Sequence, residues 1–305
     1  MSVVDDYDGW DLPIVTPGEW DAGQPGLHGE PQIQVDLSAP VQPVALWTGE
    51  ISYGARDSDG AVSSERRWLG VDDCSGGVPR LGGTRFYLNN TWGPTASHTF
   101  IWGDRFDEAF VGDWDGDWID TIALRYGRTF QVPQGHGSVA DRIVDYGRPG
   151  DTVLVGDWDG DGVDTFAVRR GNAYHIKNSV TGGPADRVVY YGKADDAVYV
   201  GDWDGDGVDT LAVRRGSTYH VRNTLTSGVA DRVVGYGRTG DVTLVGDWDG
   251  DGRQSFAMRR GNTYYVKNTI AGGVADTVSV YGRATDDVYV GDWDGDWADT
   301  LAVRR

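Results

Sequence analysis

The sequence predicts an all-β fold: a five-bladed β-propeller of four-stranded blades, its ring closed by N- and C-terminal halves of one blade, behind an extended N-terminal arm. Three observations predict it. The string GDWDGD occurs five times, from Gly112, Gly156, Gly201, Gly246 and Gly291, at spacings of 44, 45, 45 and 45 residues. A repeat of about 45 residues has the length of one propeller blade. Each unit carries four short runs rich in Val, Tyr and Thr, punctuated by Gly, Asp or Asn, which is the signature of strands joined by tight turns. Finally, half a unit follows the fifth GDWDGD and the complementary half precedes the first.

Taken in order, residues 1–43 read as an extended arm. Seven of the 11 Pro fall before residue 82, and Trp10 and Trp20 stand among Gly, Pro and Asp, so this stretch has little means of burying its own apolar groups. Residues 44–81 read as an irregular or short-strand connector. A rival reading draws a sixth blade from residues 44–72, but that stretch has no Asp loop. The propeller spans 82–305, with blades at 108–148, 151–193, 196–238, 241–283 and 286–305 plus 84–104. In the third unit the expected strands are 197–201, 210–214, 218–222 and 232–236. In the composite blade, 84–89 and 98–102 supply the outer pair. A ring closed in this way has no long open edge.

Composition excludes several functions. The 305 residues hold 27 Lys and Arg against 47 Asp and Glu, a formal charge of −20. No basic excess exists to neutralise phosphates, so no nucleic acid and no anionic membrane surface is expected as a partner. No run of 18 apolar residues is present, so membrane insertion is not expected. The first 20 residues lack the apolar stretch of a secretory signal, and Cys74 has no second cysteine to pair with.

The repeated turn reads DWDGDGVDT, with carboxylates at positions 1, 3 and 5, Gly at 6 and Asp at 8. Alternate oxygens in a tight turn converge, which suits a hard cation that takes six to eight oxygens. Position 12 is Val213 rather than Glu, and the flanks are strands, so the EF-hand is excluded. Turn preference alone does not call for three like charges within five residues, five times over.

At these residues the chain resembles the FG-GAP/VCBS repeat propellers, including the calcium-bearing blades of integrin α-subunit heads. The resemblance covers roughly residues 84–305. It implies three to five structural Ca²⁺ ions, held by Asp157, Asp159 and Asp161, by Asp202, Asp204 and Asp206, and by Asp247, Asp249 and Asp251. The family's ninth-position ligand is here Thr165, Thr210 or Ser255, and an Asp stands one residue earlier as Asp164 and Asp209; these two are the candidate fourth ligands. Two loops depart further, with Trp118 and Trp297 where the others have Gly. A bulky residue opposes the left-handed backbone expected there, which sets Asp113, Asp115 and Asp117, and Asp292, Asp294 and Asp296, apart from the rest. The five loops hold 19 of the 47 acidic residues.

Departures from the repeat are where recognition is expected. Trp118 and Trp297 belong to blades adjacent in the ring and form either an aromatic platform for a sugar or partner or a lid packed on the arm. Tyr146, Tyr191, Tyr236 and Tyr281, with Trp102 at the equivalent place in the composite blade, form either a sugar-stacking set or inter-blade packing, with the neighbouring Arg or Lys paired to Asp141, Asp186, Asp231 or Asp276. Catalysis is not expected. The five His show no metal-ligand spacing, and GxSxG, HExxH and phosphate-loop motifs are absent. Nearly all carboxylates are repeat-equivalent, whereas a glycosidase needs one distinct acid and one distinct base. The repeats look like those of wall-associated proteins of high-GC Gram-positive bacteria and tail proteins of their phages. The expected role is therefore a non-enzymatic adhesion or cell-surface glycan-binding module. Its expected place is a virion, as a minor tail or fibre protein attached to a larger assembly through residues 1–43. The alternatives are an extracellular, lectin-like wall-binding module and a glycosidase.

Overall fold

A computed structural model describes residues 84–136 and 139–305, together with the backbone of four strands nearer the N-terminus. The chain divides into two compact units, Met1–Pro79 and Arg80–Arg305. In the first, Val4–Asp5 pairs with Trp10–Asp11, and Thr48–Arg56 pairs with Val62–Gly70 as an antiparallel two-stranded sheet of nine-residue strands. That pair forms its own sheet and not a blade. The remainder of the arm and connector lies outside the described residues.

The second unit is a five-bladed β-propeller of four-stranded antiparallel sheets, and no helix occurs among the described residues. The third blade runs Ala197–Gly201, Thr210–Arg215, Thr218–Val221 and Arg232–Gly235, within a residue or so of the strands predicted. The first strand of each blade neighbours the first strand of the next, and Asp287–Gly291 returns to Glu108–Gly112, so the innermost strands form a closed ring. The fifth blade is composite. Asp287–Gly291 and Thr300–Arg304 supply its inner half, and Arg85–Leu88 and His98–Ile101 its outer half. Leu88 stands opposite Ala302, Tyr87 opposite Val303 and Phe86 opposite Arg304. Reciprocal backbone bonds of 3.0 Å join Arg85 and Arg305.

Burial follows strand position. The second strand lies between neighbouring blades, and its first four residues are buried in every blade, as in Thr165–Arg170. The third strand buries alternate residues, the period expected of a sheet with one covered face. The fourth is an exposed outer edge. The Trp of each GDW is buried in a cluster that spans two blades: Trp114 with Phe166 and Val168, Trp158 with Leu211 and Val213, Trp203 with Phe256 and Met258. Stacked rings reinforce these seams, at 4.1 Å for Phe130 and Phe166 and 4.0 Å for Tyr219 and Phe256.

The Gly opening each GDWDGD is explained by crowding near the ring's centre. A Cβ on Gly156 would lie 2.7 Å from Asp209 Oδ2 and 2.8 Å from Val200 Cγ1 of the next blade. Those distances are well inside van der Waals contact, so a side chain there would force adjacent blades apart.

Candidate metal loops and recognition face

Each GDWDGD turn links the first strand of a blade to its second, and its first aspartate builds the turn. Asp157 Oδ1 accepts the backbone N–H groups of Asp159, Gly160 and Asp161 at 3.3, 2.8 and 3.3 Å, and Oδ2 accepts that of Gly162 at 2.8 Å. Asp161 Oδ1 accepts from Val163 N at 3.0 Å. The third-position carboxylate is oriented from outside the turn: Asn178, Asn223, Asn268 and Asn90 donate Nδ2 to Asp159, Asp204, Asp249 and Asp294 at 2.7–2.8 Å.

The result is five carboxylate triplets: Asp113/Asp115/Asp117, Asp157/Asp159/Asp161, Asp202/Asp204/Asp206, Asp247/Asp249/Asp251 and Asp292/Asp294/Asp296. In each, one oxygen from every residue lies within 4.8 Å of the others. Among the described residues no salt bridge reaches any of them. Partial burial, then the neighbouring carboxylates, hold Asp115 above the usual Asp range; Asp159 is raised by burial and then by Asp161 and Asp157. Asp247 is raised likewise. Three oxygens from residues spaced two apart, pre-oriented and outside any salt bridge among the described residues, fit a hard divalent cation.

The Trp-bearing loops form the same turn. Trp118 N donates to Asp113 Oδ2 at 2.8 Å and Trp297 N to Asp292 Oδ2 at 2.7 Å, as glycine does elsewhere. Trp118 at φ 67° and Trp297 at φ 75° are the only non-glycine residues with positive φ among the described residues. The two rings lie 5.0 Å apart at 43° and are 54% and 57% exposed. A bulky residue at this backbone position therefore does not prevent the loop from forming: the first Asp closes the turn, and the Trp side chain is exposed.

Asp164 and Asp209 require correction as fourth ligands. They stand outside the triplets, and each carboxylate reaches across to the preceding blade. Asp164 Oδ2 accepts from Asp113 N at 2.9 Å, and Asp209 Oδ2 from Asp157 N at 2.9 Å. Sequence reasoning missed that position 8 does this in all five blades: Asp120 accepts from Asp292 N, Asp299 from Asp247 N and Gln254 from Asp202 N. The signal was present, since position 8 is Asp in four of five loops. These side chains converge on the ring's centre. Burial, followed by other carboxylates, raises Asp164 and Asp299 to about 7 and Asp120 and Asp209 well above their ordinary value; Asp164 acts on Asp299 two blades away.

The Tyr set and Trp102 also require correction as ligand-binding residues. Tyr146, Tyr191, Tyr236, Tyr281 and Trp102 are buried. The four hydroxyls donate to carbonyls of the next blade's third strand, at His175, His220, Tyr265 and Tyr87, over 2.9–3.1 Å. Burial pushes Tyr146, Tyr191 and Tyr236 up to about 12. The set is thus inter-blade stitching. The expected pairing of Arg148 and its equivalents with Asp141, Asp186, Asp231 and Asp276 is replaced by Lys177–Asp186, Arg222–Asp231 and Lys267–Asp276, while Asp141 accepts from Gln134 N. A scan of protein-family models and a search of curated proteins found no match to this chain.

Proposed function

We propose that this chain is a calcium-stabilised recognition propeller of the FG-GAP/VCBS type, non-enzymatic, that binds a cell-surface glycan. The setting we propose is adhesion, in a virion component such as a minor tail or fibre protein attached through residues 1–43. One observation carries the reading. Two adjacent loops keep the carboxylate triplet and turn of their siblings, yet place an exposed Trp where the backbone favours Gly. A bulky residue at positive φ costs about 1–3 kcal/mol, a cost that folding alone does not require when three sibling loops use Gly. Exposed, paired indoles with carboxylates alongside suit stacking on a sugar ring.

The test is binding of the full chain to bacterial cell walls and a glycan array, with Ca²⁺ and with EDTA. Wild type binds in Ca²⁺, and Trp118→Gly with Trp297→Gly removes binding while Ca²⁺ stoichiometry is kept. Equal binding by the double variant would sink the recognition face; absence of bound Ca²⁺ would sink the cation loops.

A further inference from the structure

The fourth loop breaks the repeat in a different way. Where the second and third loops read GDGVDT, it reads GDGRQS. Arg253 replaces the aliphatic residue at position 7, and Gln254 replaces the Asp at position 8. Relative to its siblings this corner gains one positive charge and loses one negative charge, in a chain of formal charge −20.

Both residues line a cavity of about 340 Å³ between the third and fourth loops. Its volume is at the lower end of the ~300–1,000 Å³ typical of small-molecule sites. Trp203 and Ile270, 5% and 4% exposed, contribute apolar wall. Arg253 lies across Gly205: a Cβ on that glycine would stand 2.9 Å from Arg253 Nε, where Val208 sits over Gly160 in the preceding pair. Nε donates to the Asp204 carbonyl at 3.1 Å. Among the described residues its terminal N–H groups make no hydrogen bond. A second arginine, Arg232, lines the same cavity, and among the described residues no salt bridge joins an acidic side chain to either one. Gln254 Oε1 accepts from Asp202 N as the sibling aspartates do for their own partners, but without their charge.

We propose that this cavity is a site for a carboxylate-bearing ligand of monosaccharide size, its carboxylate held by Arg253 and Arg232. A guanidinium presents paired donors that match a carboxylate's two oxygens, and such charge-assisted bonds are among the strong ones. The site rests on the cation reading in one respect: Asp204 and Asp251 also border it, and a divalent ion in each loop neutralises them toward an incoming anion.

The experiment is calorimetric titration of the full chain, in Ca²⁺, with glucuronate, glucose, acetate and sulfate, alongside a separate Ca²⁺ titration. The expected result is binding of glucuronate, no binding of glucose, and weaker binding of acetate and sulfate, which lack the sugar ring. Arg253→Val restores the sibling residue and so keeps the fold; it is expected to weaken glucuronate about tenfold or more with Ca²⁺ stoichiometry unchanged. Gln254→Asp, returning the axial charge, weakens it as well. Equal binding of glucose and glucuronate, sulfate binding as tight as glucuronate, or wild-type affinity in Arg253→Val overturns the site. Ca²⁺ binding without Arg253-dependent glucuronate binding overturns this site alone. Arg253-dependent binding without bound Ca²⁺ overturns the cation loops alone.

Discussion

Aspartates cap a backbone N–H at both ends of the innermost strands, save where Gln254 does so in the third blade, and the protein treats the two ends in opposite ways. At the entry turn, Asp151, Asp196, Asp241 and Asp286 each cap a backbone N–H and meet an arginine: Arg170, Arg215, Arg260 and Arg305, at 2.5–2.8 Å. The arginine hydrogen bond holds Asp151, Asp196 and Asp241 below the usual range. At the loop end, Asp120, Asp164, Asp209 and Asp299 also cap a backbone N–H, yet they face one another and are held above it. Asp107 shows what decides the matter. It occupies the entry position of the first blade, but Tyr126 stands where the arginine would be, and burial raises it. The backbone cap is common to all of these; the counter-charge sets the direction. At one end of the ring the aspartates are paired with arginine; at the other, buried carboxylates face one another with no salt bridge among the described residues.

The largest test concerns the carboxylate triplets beside those axial caps, where we propose bound cations. Each cation bound only by the folded state at about 100 times its Kd contributes ~2.7 kcal/mol, so stripping several from the loops is expected to lower Tm by at least roughly 10 °C. Differential scanning calorimetry of dialysed against Ca²⁺-loaded protein reads it, and an unchanged Tm would mean that the triplets bind no cation that stabilises the fold.

Next, the entry pairs should fail when one partner goes. Arg215→Ala leaves Asp196 buried at 4% side-chain exposure with its charge unmet. With the exposed guanidinium screened by solvent, the expected loss is about 1–3 kcal/mol. Denaturant unfolding measures it, and a loss below 0.5 kcal/mol, roughly the size of a neutral surface change, would show the pair to be ornamental.

The two ends also predict opposite pH responses. Asp164 and Asp299 bind protons more tightly in the folded state, up to about 7 against an ordinary 3.8. Their contribution is present below about pH 4 and is lost as pH rises toward 7. Asp151, Asp196 and Asp241 lie below 3.8, so theirs is present above that value and is lost on acidification through their folded range. Metal-free protein should therefore be most stable near pH 4–5 and weaken toward pH 8. Asp164→Asn should recover about 1–2 kcal/mol at pH 8 and little at pH 4. Metal-free melts that rise steadily from pH 5 to pH 8 would contradict the axial assignment.

The smallest test supplies the missing partner. Tyr126→Arg should pair with Asp107, bring its carboxyl below the ordinary value and add about 1 kcal/mol, read by NMR titration together with unfolding. An Asp107 that remains raised would mean that the blade's geometry, and not its sequence, withholds the pair.

The blade count, the composite blade and the five turns were legible because each rests on a pattern the sequence repeats: four β-rich runs, the unit length, and aspartates at alternate positions. The axial side chains were harder to read. Asp164 looks like a ligand of its own loop because the two are adjacent in sequence, whereas its acceptor oxygen serves Asp113 of the preceding blade, 51 residues away. The Tyr set was ambiguous for a related reason. Tyr beside a basic residue describes a sugar platform and a buried tie equally well, and only the position of the next blade's carbonyl separates them. Trp118 and Trp297 were visible as exceptions, but their exposure depended on a turn closed by Asp113 and Asp292, which steric reasoning about one residue does not include.

The closure of the ring carries a consequence for biosynthesis. Arg85–Leu88 and His98–Ile101 are translated before every other strand of the propeller, yet the inner half of their blade, Asp287–Gly291 and Thr300–Arg304, is translated last. At ~5–20 residues per second, the early hairpin waits roughly 10–40 s for its partner, with Phe86 and Leu88, both fully buried in the finished ring, exposed in the meantime. The four intervening blades complete their own sheets as they emerge, while the first strand pair to appear stays open-edged until the last has left the ribosome. A pause or truncation before Asp287–Gly291 and Thr300–Arg304 are made would therefore strand the oldest part of the propeller, leaving an adhesive edge on a nascent chain whose other blades are folded.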